Sequence, residues 1–169
     1  MPEASAFTIR LTCIEDEQRI SELLQASYPT LMRESHDPAV LDAALPLMTR
    51  ANPVLLASGT YYLAESDAGL AVGCGGWSRE RPGSGEVAPE LAHIRHFATH
   101  PEWIGRGIER ALYARCEQDA RAAGIRRFEC NASLNGEGFY AALGFAPVRP
   151  IELPMGSVAV PAILMQRSI

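Results

Sequence analysis

The stretch from residue 92 to residue 124 constrains the fold most, because it joins a strand to a long helix through a glycine-rich turn. Ala92 to Thr99 is rich in apolar residues and predicts a strand that His100-Pro101 ends. Gly107 to Ala123 predicts a long helix, since its apolar residues recur every four positions and Gly124 can cap its end. The chain is therefore expected to run from a strand directly into a helix N-terminus.

The turn between this strand and this helix has the features of an anion-binding loop. The first four N–H groups of a helix lack backbone partners, and the peptide dipoles add partial positive charge there. Gly105 and Gly107 leave these amides open to a ligand, and Arg106 and Arg110 can add charge-assisted hydrogen bonds. Such a site suits phosphate or pyrophosphate. The glycines are equally compatible with a plain tight turn, and neither the nucleoside-triphosphate loop nor the dinucleotide fingerprint matches the segment.

The other segments alternate between strands and helices without an internal repeat. Further strands are predicted at 7–11, 60–64, 70–77 and 128–132 and twice more towards the C-terminus, and further helices at 16–28, from 37 to before 52, and at 136–143. Pro29 is expected to end the first helix. The order β α α β β β α β α β β predicts one α/β (α+β) domain over residues 1–169, with a mixed, mostly antiparallel sheet of about six to seven strands and about four helices.

Composition favours a small anionic ligand over a polyanion. The 169 residues are 47% hydrophobic and 21% charged, and the net charge of −5 gives no basic field for nucleic acid or an anionic membrane. Seven arginines fall within residues 95–127, although a solvated helix face has the same pattern. Met1–Arg10 lacks the apolar run of a signal peptide, and no stretch approaches the ~18 apolar residues of a membrane span. We therefore expect a cytoplasmic protein without nucleic-acid or membrane partners.

Neither the cysteines nor the histidines have the spacing of a metal site. The four cysteines form no CxxC pair and are predicted to be buried or partly buried thiols of a reducing cytoplasm: Cys13, Cys74, Cys116 and Cys130. A covalent carrier role of Cys74 or Cys130 is an alternative, but neither has an identifiable partner that would activate it. His93, His96 and His100 lie close together, but strand residues three apart point to opposite faces, so we expect no metal unless a bulge intervenes.

Three motifs together resemble the GNAT acetyltransferase superfamily, over a stretch from Phe7 to about Met165. "HFATHPEWIGRGIERAL", at 96–112, resembles its acetyl-CoA motif, a strand followed by R/Q-x-x-G-x-G/A at the start of the long helix. "GFYAALGF", at 138–145, and "GCGGWS", at 73–78, resemble its second motif and its glycine-rich third strand. Ile104 stands where the superfamily usually has Arg or Gln, and Glu109 where it usually has Gly or Ala.

The resemblance implies a GNAT-like fold and acetyl-CoA as a co-substrate, with no metal. A backbone N–H between Phe97 and Thr99 would polarise the thioester carbonyl, and Tyr140 would protonate the leaving thiolate. Packing of the short helix is the other explanation for Tyr140. The contacts to coenzyme A that the resemblance implies are Phe97, Ala98, Thr99, Ile104, Gly105, Arg106, Gly107, Ile108, Glu109, Arg110 and Asn135. Because a carboxylate at Glu109 would sit beside the pyrophosphate, we expect it to weaken cofactor binding.

The general base and the acceptor site are less well defined. A lysine-like amine is neutral in about one of 2,500 molecules at pH 7, so a general base contributes much to the rate. His93 and His96 are candidates on the strand that lines such sites, with Glu90 and Glu129 as alternatives, and a structural histidine is the other reading. Residues on strands that usually flank the acceptor pocket are Trp77, Arg79 and Tyr62, although core packing or solvation would also explain them.

These observations lead to one main hypothesis and two alternatives. The first is an N-acetyltransferase that moves an acetyl group from acetyl-CoA to a primary amine of a small molecule or peptide. The second is a non-catalytic acyl-CoA-binding sensor or regulatory module of the same fold, which Glu109 would suit. The third is a structural domain, and an exposed apolar sheet edge near the C-terminus would allow a homodimer in any of these cases.

Overall fold

A seven-stranded sheet forms the centre of the structure, a computed structural model that describes residues 6–169. The strands are β1 (Phe7–Leu11), β2 (Tyr61–Ser66), β3 (Ala71–Ser78), β4 (Leu91–Thr99), β5 (Arg127–Ser133), β6 (Ala146–Met155) and β7 (Val158–Ser168). Their order across the sheet is β1-β2-β3-β4-β5-β7-β6, and each neighbouring pair is antiparallel except β4 and β5. The predicted mixed, mostly antiparallel sheet is therefore confirmed. The expectation that Met1–Arg10 lacks a signal peptide also covers Met1–Ser5, and these five residues lie outside the described part of the chain.

Five α-helices, counted over residues 6–169, flank this sheet. They are α1 (Glu17–Met32), α2 (Pro38–Met48), α3 (Pro53–Leu56), α4 (Ile108–Ala122) and α5 (Glu137–Ala142). The sequence predicts about four, and the additional one is the single turn α3, whose start Asn52 caps by accepting a hydrogen bond from the Val54 N–H. No helix in the described part of the chain is long and apolar enough to cross a membrane.

The first helix continues beyond the proline that was predicted to end it. Pro29 lies inside α1, which runs to Met32. Proline removes one helical hydrogen bond, but the residues on either side of it, Ser27 and Met32, are buried. Packing of the helix against the sheet therefore compensates for the lost bond.

The helices form one layer on each face of the sheet. One layer packs α4 against β2 and β3, and Gly73 permits their close approach, because a Cβ atom there would lie 2.4 Å from the Ile108 Cγ2 atom. The other layer packs α1 against the opposite face through Ile20, Leu24 and Leu63. Both faces of the central strands are thus covered.

β4 and β5 separate after a short paired stretch. Leu91–His93 pairs with Arg127–Glu129, and no later residue of β4 pairs with β5. At the same point β4 contains one extra residue relative to β3, because the register shifts between Cys74 and Gly76, and His96 has a φ angle of 53°. This is a β-bulge, which bends a strand and redirects its side chains. The result is a gap between two parallel strands that opens towards α4 and α5.

The cysteines are buried as expected, with one exception. Cys74, Cys116 and Cys130 are buried, whereas Cys13 is exposed, because it lies in the turn between β1 and α1.

The sheet edge near the C-terminus is β6, which is largely exposed and contains Pro147, Pro150 and Pro154. Proline has no N–H to donate, so this edge does not offer an unbroken row of backbone donors to another strand.

Candidate active site

A cavity of about 450 Å³ occupies the gap between β4 and β5. Its walls come from α1, α2, α5, the first turn of α4, and the hairpin formed by β6 and β7. Of the residues predicted from the sequence to act on a substrate or cofactor, six line it: His96, Phe97, Ala98, Glu109, Asn135 and Tyr140. Residues far apart in the sequence thus meet at one site.

The start of α4 presents a row of backbone donors. Gly105 and Gly107 both have a φ angle of 78°, in the left-handed region that favours glycine. Within residues 6–169, the amides from Gly105 to Arg110 have no backbone or side-chain acceptor. The Arg106 guanidinium stacks 4.3 Å above the Trp103 ring. These exposed amides and the dipole of a four-turn helix suit a phosphate or diphosphate group.

Tyr140 lies on α5 with its ring enclosed by other aromatic rings. Its centroid is 6.4 Å from that of Phe97 and 5.5 Å from that of Phe145, both in edge-to-face orientation. Burial raises the pKa of the phenol well above its usual value, and the neighbouring Cys130 and Glu109 raise it further. The hydroxyl therefore stays protonated at neutral pH and is able to donate a proton.

His96 is held in a defined tautomer within the bulge. Its Nε2 atom lies 2.9 Å from the Met48 carbonyl oxygen, at the C-terminal end of α2. A carbonyl only accepts hydrogen bonds, so Nε2 must carry the proton, and Nδ1 has a free lone pair. No partner for Nδ1 is present in the described part of the chain. Burial lowers the pKa of the ring, so the histidine is neutral at pH 7, which is the state a general base needs.

The other candidate bases lie outside the cavity. His93 is buried with Nδ1 3.7 Å from the Glu129 carboxylate, and burial lowers its pKa. Glu129 also pairs with Arg81, and Glu90 is exposed in the turn before β4. Despite the bulge, no group of three metal-binding side chains forms among residues 6–169.

Glu109 introduces a carboxylate into the cavity. It is half-buried in the first turn of α4, and burial raises its pKa, with a smaller opposing effect of the neighbouring Thr99. Its charge in turn contributes to the raised pKa values of Tyr28 and Tyr140. Glu109 is therefore electrostatically coupled to the side chains around the gap and does not simply cap the helix.

Three residues predicted to bind the acceptor lie elsewhere. Trp77 and Tyr62 face the α4 layer, where the Trp77 indole donates to the Tyr62 hydroxyl over 3.3 Å and this hydroxyl donates to Asp119 over 2.7 Å. Arg79 donates to the Ala123 carbonyl at the end of α4. None of the three therefore lines the cavity: the pleat of β2 and β3 turns Tyr62 and Trp77 to the face opposite α1, and Arg79 follows the end of β3.

The cavity also contains residues that the sequence did not single out. Arg95 lines it beside His96, and the apolar wall from α2 and the β6–β7 hairpin includes Leu47, Leu153 and Met155. The hairpin joins the site through the pairing of β7 with β5 and through contacts with α2, and no local pattern records such long-range contacts. Arg95 was recognised only as part of a basic segment.

The two cysteines considered as acyl carriers are poor nucleophiles. Burial raises the pKa of the Cys74 thiol and that of the Cys130 thiol to about 12. Because the thiolate is the reactive form, almost none of either group would react at neutral pH. Neither thiol is therefore in the reactive form that a covalent carrier needs.

Comparison with known proteins identifies a common family and fold. A model of the acetyltransferase (GNAT) domain matches residues 51–164. A GCN5-related N-acetyltransferase structure from Rhodopseudomonas palustris superimposes with a TM-score of 0.80 at 19% identity, covering 100% of this chain and 99% of that one. The PaiA N-acetyltransferase of Thermoplasma acidophilum, solved with coenzyme A, gives 0.73 at 16% identity, with 97% and 99% covered. The Escherichia coli ribosomal-protein-S18-alanine N-acetyltransferase gives 0.63 at 13%, with 96% and 94% covered. No curated protein sequence matches significantly.

Proposed function

Because the chain belongs to the GNAT acetyltransferase family, we propose that it transfers an acetyl group from acetyl-coenzyme A to a primary amine of a small molecule or peptide. The observation that carries this proposal is a single cavity that holds Tyr140 and His96 and extends to Glu109, which lies in the first turn of α4 among the free amides. A donor row for a diphosphate, a proton donor and a proton acceptor are the groups that this transfer requires.

The residues present fit coenzyme A. The amides from Gly105 to Arg110 would hold the diphosphate, and Asn135 and the part of β4 that has no β5 partner would hydrogen-bond to the pantetheine arm. When bound, the thioester supplies an acyl group at an activated carbonyl. A backbone N–H of the stretch Phe97–Thr99 would polarise that carbonyl. The carboxylate of Glu109 is the one feature that opposes the fit, because it repels an anion at the same amides.

Two side chains would move the protons. The His96 Nδ1 atom accepts the proton that the attacking amine loses, and the bond from Nε2 to the Met48 carbonyl keeps the ring oriented for this task. The Tyr140 hydroxyl donates a proton to the sulfur of the leaving thiolate. Burial around Phe97 and Phe145 limits water at the reacting groups. The acceptor amine thus becomes an amide and coenzyme A leaves as a thiol.

The first experiment separates binding from turnover. Thermal unfolding is followed with and without coenzyme A, since a ligand at 100 times its Kd adds about 2.7 kcal/mol to stability. Thiol release from acetyl-CoA is then measured across amino acids, polyamines, aminoglycosides and peptides. The proposed function fails if no amine accelerates thiol release above background.

Substitutions at the two catalytic positions test the mechanism. Tyr140→Phe and His96→Gln should each lower kcat by about 10²- to 10⁴-fold, the usual contribution of a positioned acid or base. Tyr113→Phe is the matched control for the tyrosine, since Tyr113 is also buried but does not line the cavity, and its hydroxyl accepts a hydrogen bond from Arg167. His93→Gln is the control for the histidine, because His93 does not line the cavity. Unchanged kcat in Tyr140→Phe or His96→Gln would exclude the assigned role.

A non-catalytic acyl-CoA sensor is the second candidate, and Glu109 is the observation that favours it. A sensor would bind coenzyme A thioesters and shift in thermal stability, yet no amine in the panel would release the thiol. Equal affinity for acetyl-CoA and for free coenzyme A would argue against a sensor of the acyl group.

A further inference from the structure

We propose that the acceptor is a small amine that also carries a carboxylate and an apolar body, the chemistry of an apolar amino acid, and that Arg95 binds this carboxylate. The inference rests on the proposed function and specifies its substrate class. Three features of the cavity support it: an arginine without a carboxylate partner, an apolar end wall, and a volume suited to a small molecule.

Arg95 is a half-buried cation whose charge no carboxylate balances. Its Nη1 atom donates to the Ser78 hydroxyl over 2.9 Å, and no carboxylate of residues 6–169 lies within 4.0 Å of its guanidinium. Every other half-buried arginine of residues 6–169 pairs with a carboxylate: Arg10 with Asp16, Arg19 with Glu65, Arg81 with Glu129, Arg115 with Asp119, and Arg167 with Glu117. A guanidinium removed from water without a counter-charge is costly, so a ligand anion would be bound strongly there.

The side chains around Arg95 do not neutralise its charge, so a ligand carboxylate can act as the counter-charge. Burial lowers the pKa of its guanidinium, and the acid that acts against this effect, Glu80, is exposed to solvent. Within the cavity wall, Glu109 is the sole carboxylate among the described lining residues, and it belongs to the α4 end of the cavity. Arg50 also lines the cavity, is exposed, and forms no ion pair among the described residues, so it adds positive charge at the acceptor end.

The wall opposite α4 is apolar and closed by the β6–β7 hairpin. Three of the five methionines of the chain line it, Met32, Met48 and Met155, together with leucines of α1, α2 and β6. The hairpin tip packs on α2 so closely that a Cβ atom at Gly156 would lie 3.0 Å from the Leu47 Cδ1 atom. Methionine side chains adapt to apolar ligands of different shape. This end therefore suits an aliphatic or aromatic side chain and disfavours a polyamine.

The size of the cavity indicates a small acceptor. A volume of about 450 Å³ is at the lower end of the range for small-molecule sites, and the thioester end of the co-substrate must share it. The remaining space suits a single amino acid better than an extended peptide.

The test compares acceptors that differ only in the carboxylate. Thiol release is measured with phenylalanine against phenethylamine, and with leucine against 3-methylbutylamine. A hydrogen bond to a charged group changes binding affinity by a factor of about 10 to 150. The kcat/KM value of each amino acid should therefore exceed that of its matching amine by this factor. Calorimetric titration of phenylalanine and phenethylamine into the protein with coenzyme A gives the same comparison without turnover.

Arg95→Gln should remove the preference. KM for phenylalanine should rise by the same factor, whereas KM for phenethylamine and for acetyl-CoA should stay unchanged, and Arg95→Lys should restore part of the difference. Arg79→Gln is the matched control, since Arg79 is a strand-end arginine outside the cavity. If Arg95→Gln does not fold, Ser78→Ala removes the hydrogen bond that holds the guanidinium and should shift KM in the same direction.

Different experimental outcomes would contradict this inference and the proposed function. If phenethylamine is acetylated and bound as well as phenylalanine, or if a peptide is a better acceptor than the free amino acid, the inference is wrong while the acetyltransferase stands. If nothing is acetylated but calorimetry shows carboxylate-dependent binding that Arg95→Gln abolishes, the site assignment holds and the enzymatic function fails. If neither is observed, both are wrong.

Discussion

Replacing Glu109 with alanine should tighten the binding of coenzyme A. This residue stands at the helix start where the family usually has Gly or Ala, and its half-buried carboxylate lines the cavity. An anion bound by the amides from Gly105 to Arg110 would face this like charge. The raised pKa of Glu109, which arises from burial, indicates that its charged form is already disfavoured in the free protein. A nearby diphosphate would disfavour it further.

The size of the effect follows from Coulomb's law. Two unit charges about 6 Å apart, a separation typical of groups at one helix start, repel by about 2.8 kcal/mol at an effective dielectric constant of 20 and by about 0.7 kcal/mol in water. Because Glu109 is half-buried, the repulsion should lie between these limits. Glu109→Ala should then lower the Kd for coenzyme A by a factor of about 3 to 100. Stability should change little, since the lost dipole interaction of 0.3–1 kcal/mol is offset by the helix propensity of alanine.

Calorimetric titration of coenzyme A at several pH values distinguishes charge from size. Glu109→Gln retains the volume and removes the charge, so it should tighten binding nearly as much as Glu109→Ala. In the unmodified protein the affinity should increase as the pH falls towards the raised pKa of Glu109, and this dependence should be absent in both variants. Glu22→Gln, an exposed position on α1, controls for net charge. Unchanged affinity in Glu109→Ala would refute the reasoning, and a gain in Glu109→Ala alone would assign the effect to size.

Three further predictions concern other parts of the molecule. Burial lowers the pKa of His96, so the acid limb of the pH profile of kcat should lie below pH 6.5, and His96→Gln should remove it, as steady-state rates would show. The Asp16 carboxylate accepts two hydrogen bonds from Arg10, which contribute to lowering its pKa to about 2, so its stabilising effect is present at neutral pH and is lost as the pH falls from about 4 to 2. Asp16→Ala should lower the free energy of unfolding at pH 7 by about 1–3 kcal/mol in urea titrations, and an equal loss at pH 2 would contradict this. Gly73→Ala should destabilise by about 1–3 kcal/mol because the new Cβ would meet Ile108, whereas Gly138→Ala in the open part of α5 should not.

The elements of the fold could be predicted from the sequence where the signal is local. Asp37 followed by Pro38 predicts a helix start, and the Asp37 carboxylate accepts from the Ala39 and Val40 amides at the start of α2. Gly124, with a φ angle of 87°, ends α4 as expected. Local signals failed where tertiary packing dominates, as at Pro29, which α1 includes because residues beyond it are buried.

Local motifs indicated some residues of the candidate site, and tertiary packing alone brings in the others. Glu109 and Tyr140 belong to contiguous motifs, so the sequence indicated them, and both line the cavity. Trp77 lies outside the cavity, because the sequence shows that strand residues alternate but does not show which face of the sheet α1 covers. The apolar wall, with Met48 and Met155, depends on a contact between α2 and a hairpin about a hundred residues later in the chain. Only the tertiary structure brings these residues together.

The bulge at His96 links the backbone of β4 to the chemistry proposed for the cavity. A φ angle of 53° is uncommon for histidine, and such a conformation persists only where surrounding contacts enforce it. Here the Tyr61 hydroxyl donates to the His96 carbonyl over 2.7 Å, and the Met48 carbonyl accepts from the ring. The same extra residue separates β4 from β5 and orients Arg95 and His96 towards one cavity. Because a local backbone conformation forms the space and orients the proposed proton acceptor, the residue types of the motif that begins at His96 did not by themselves predict how this part of the site is built.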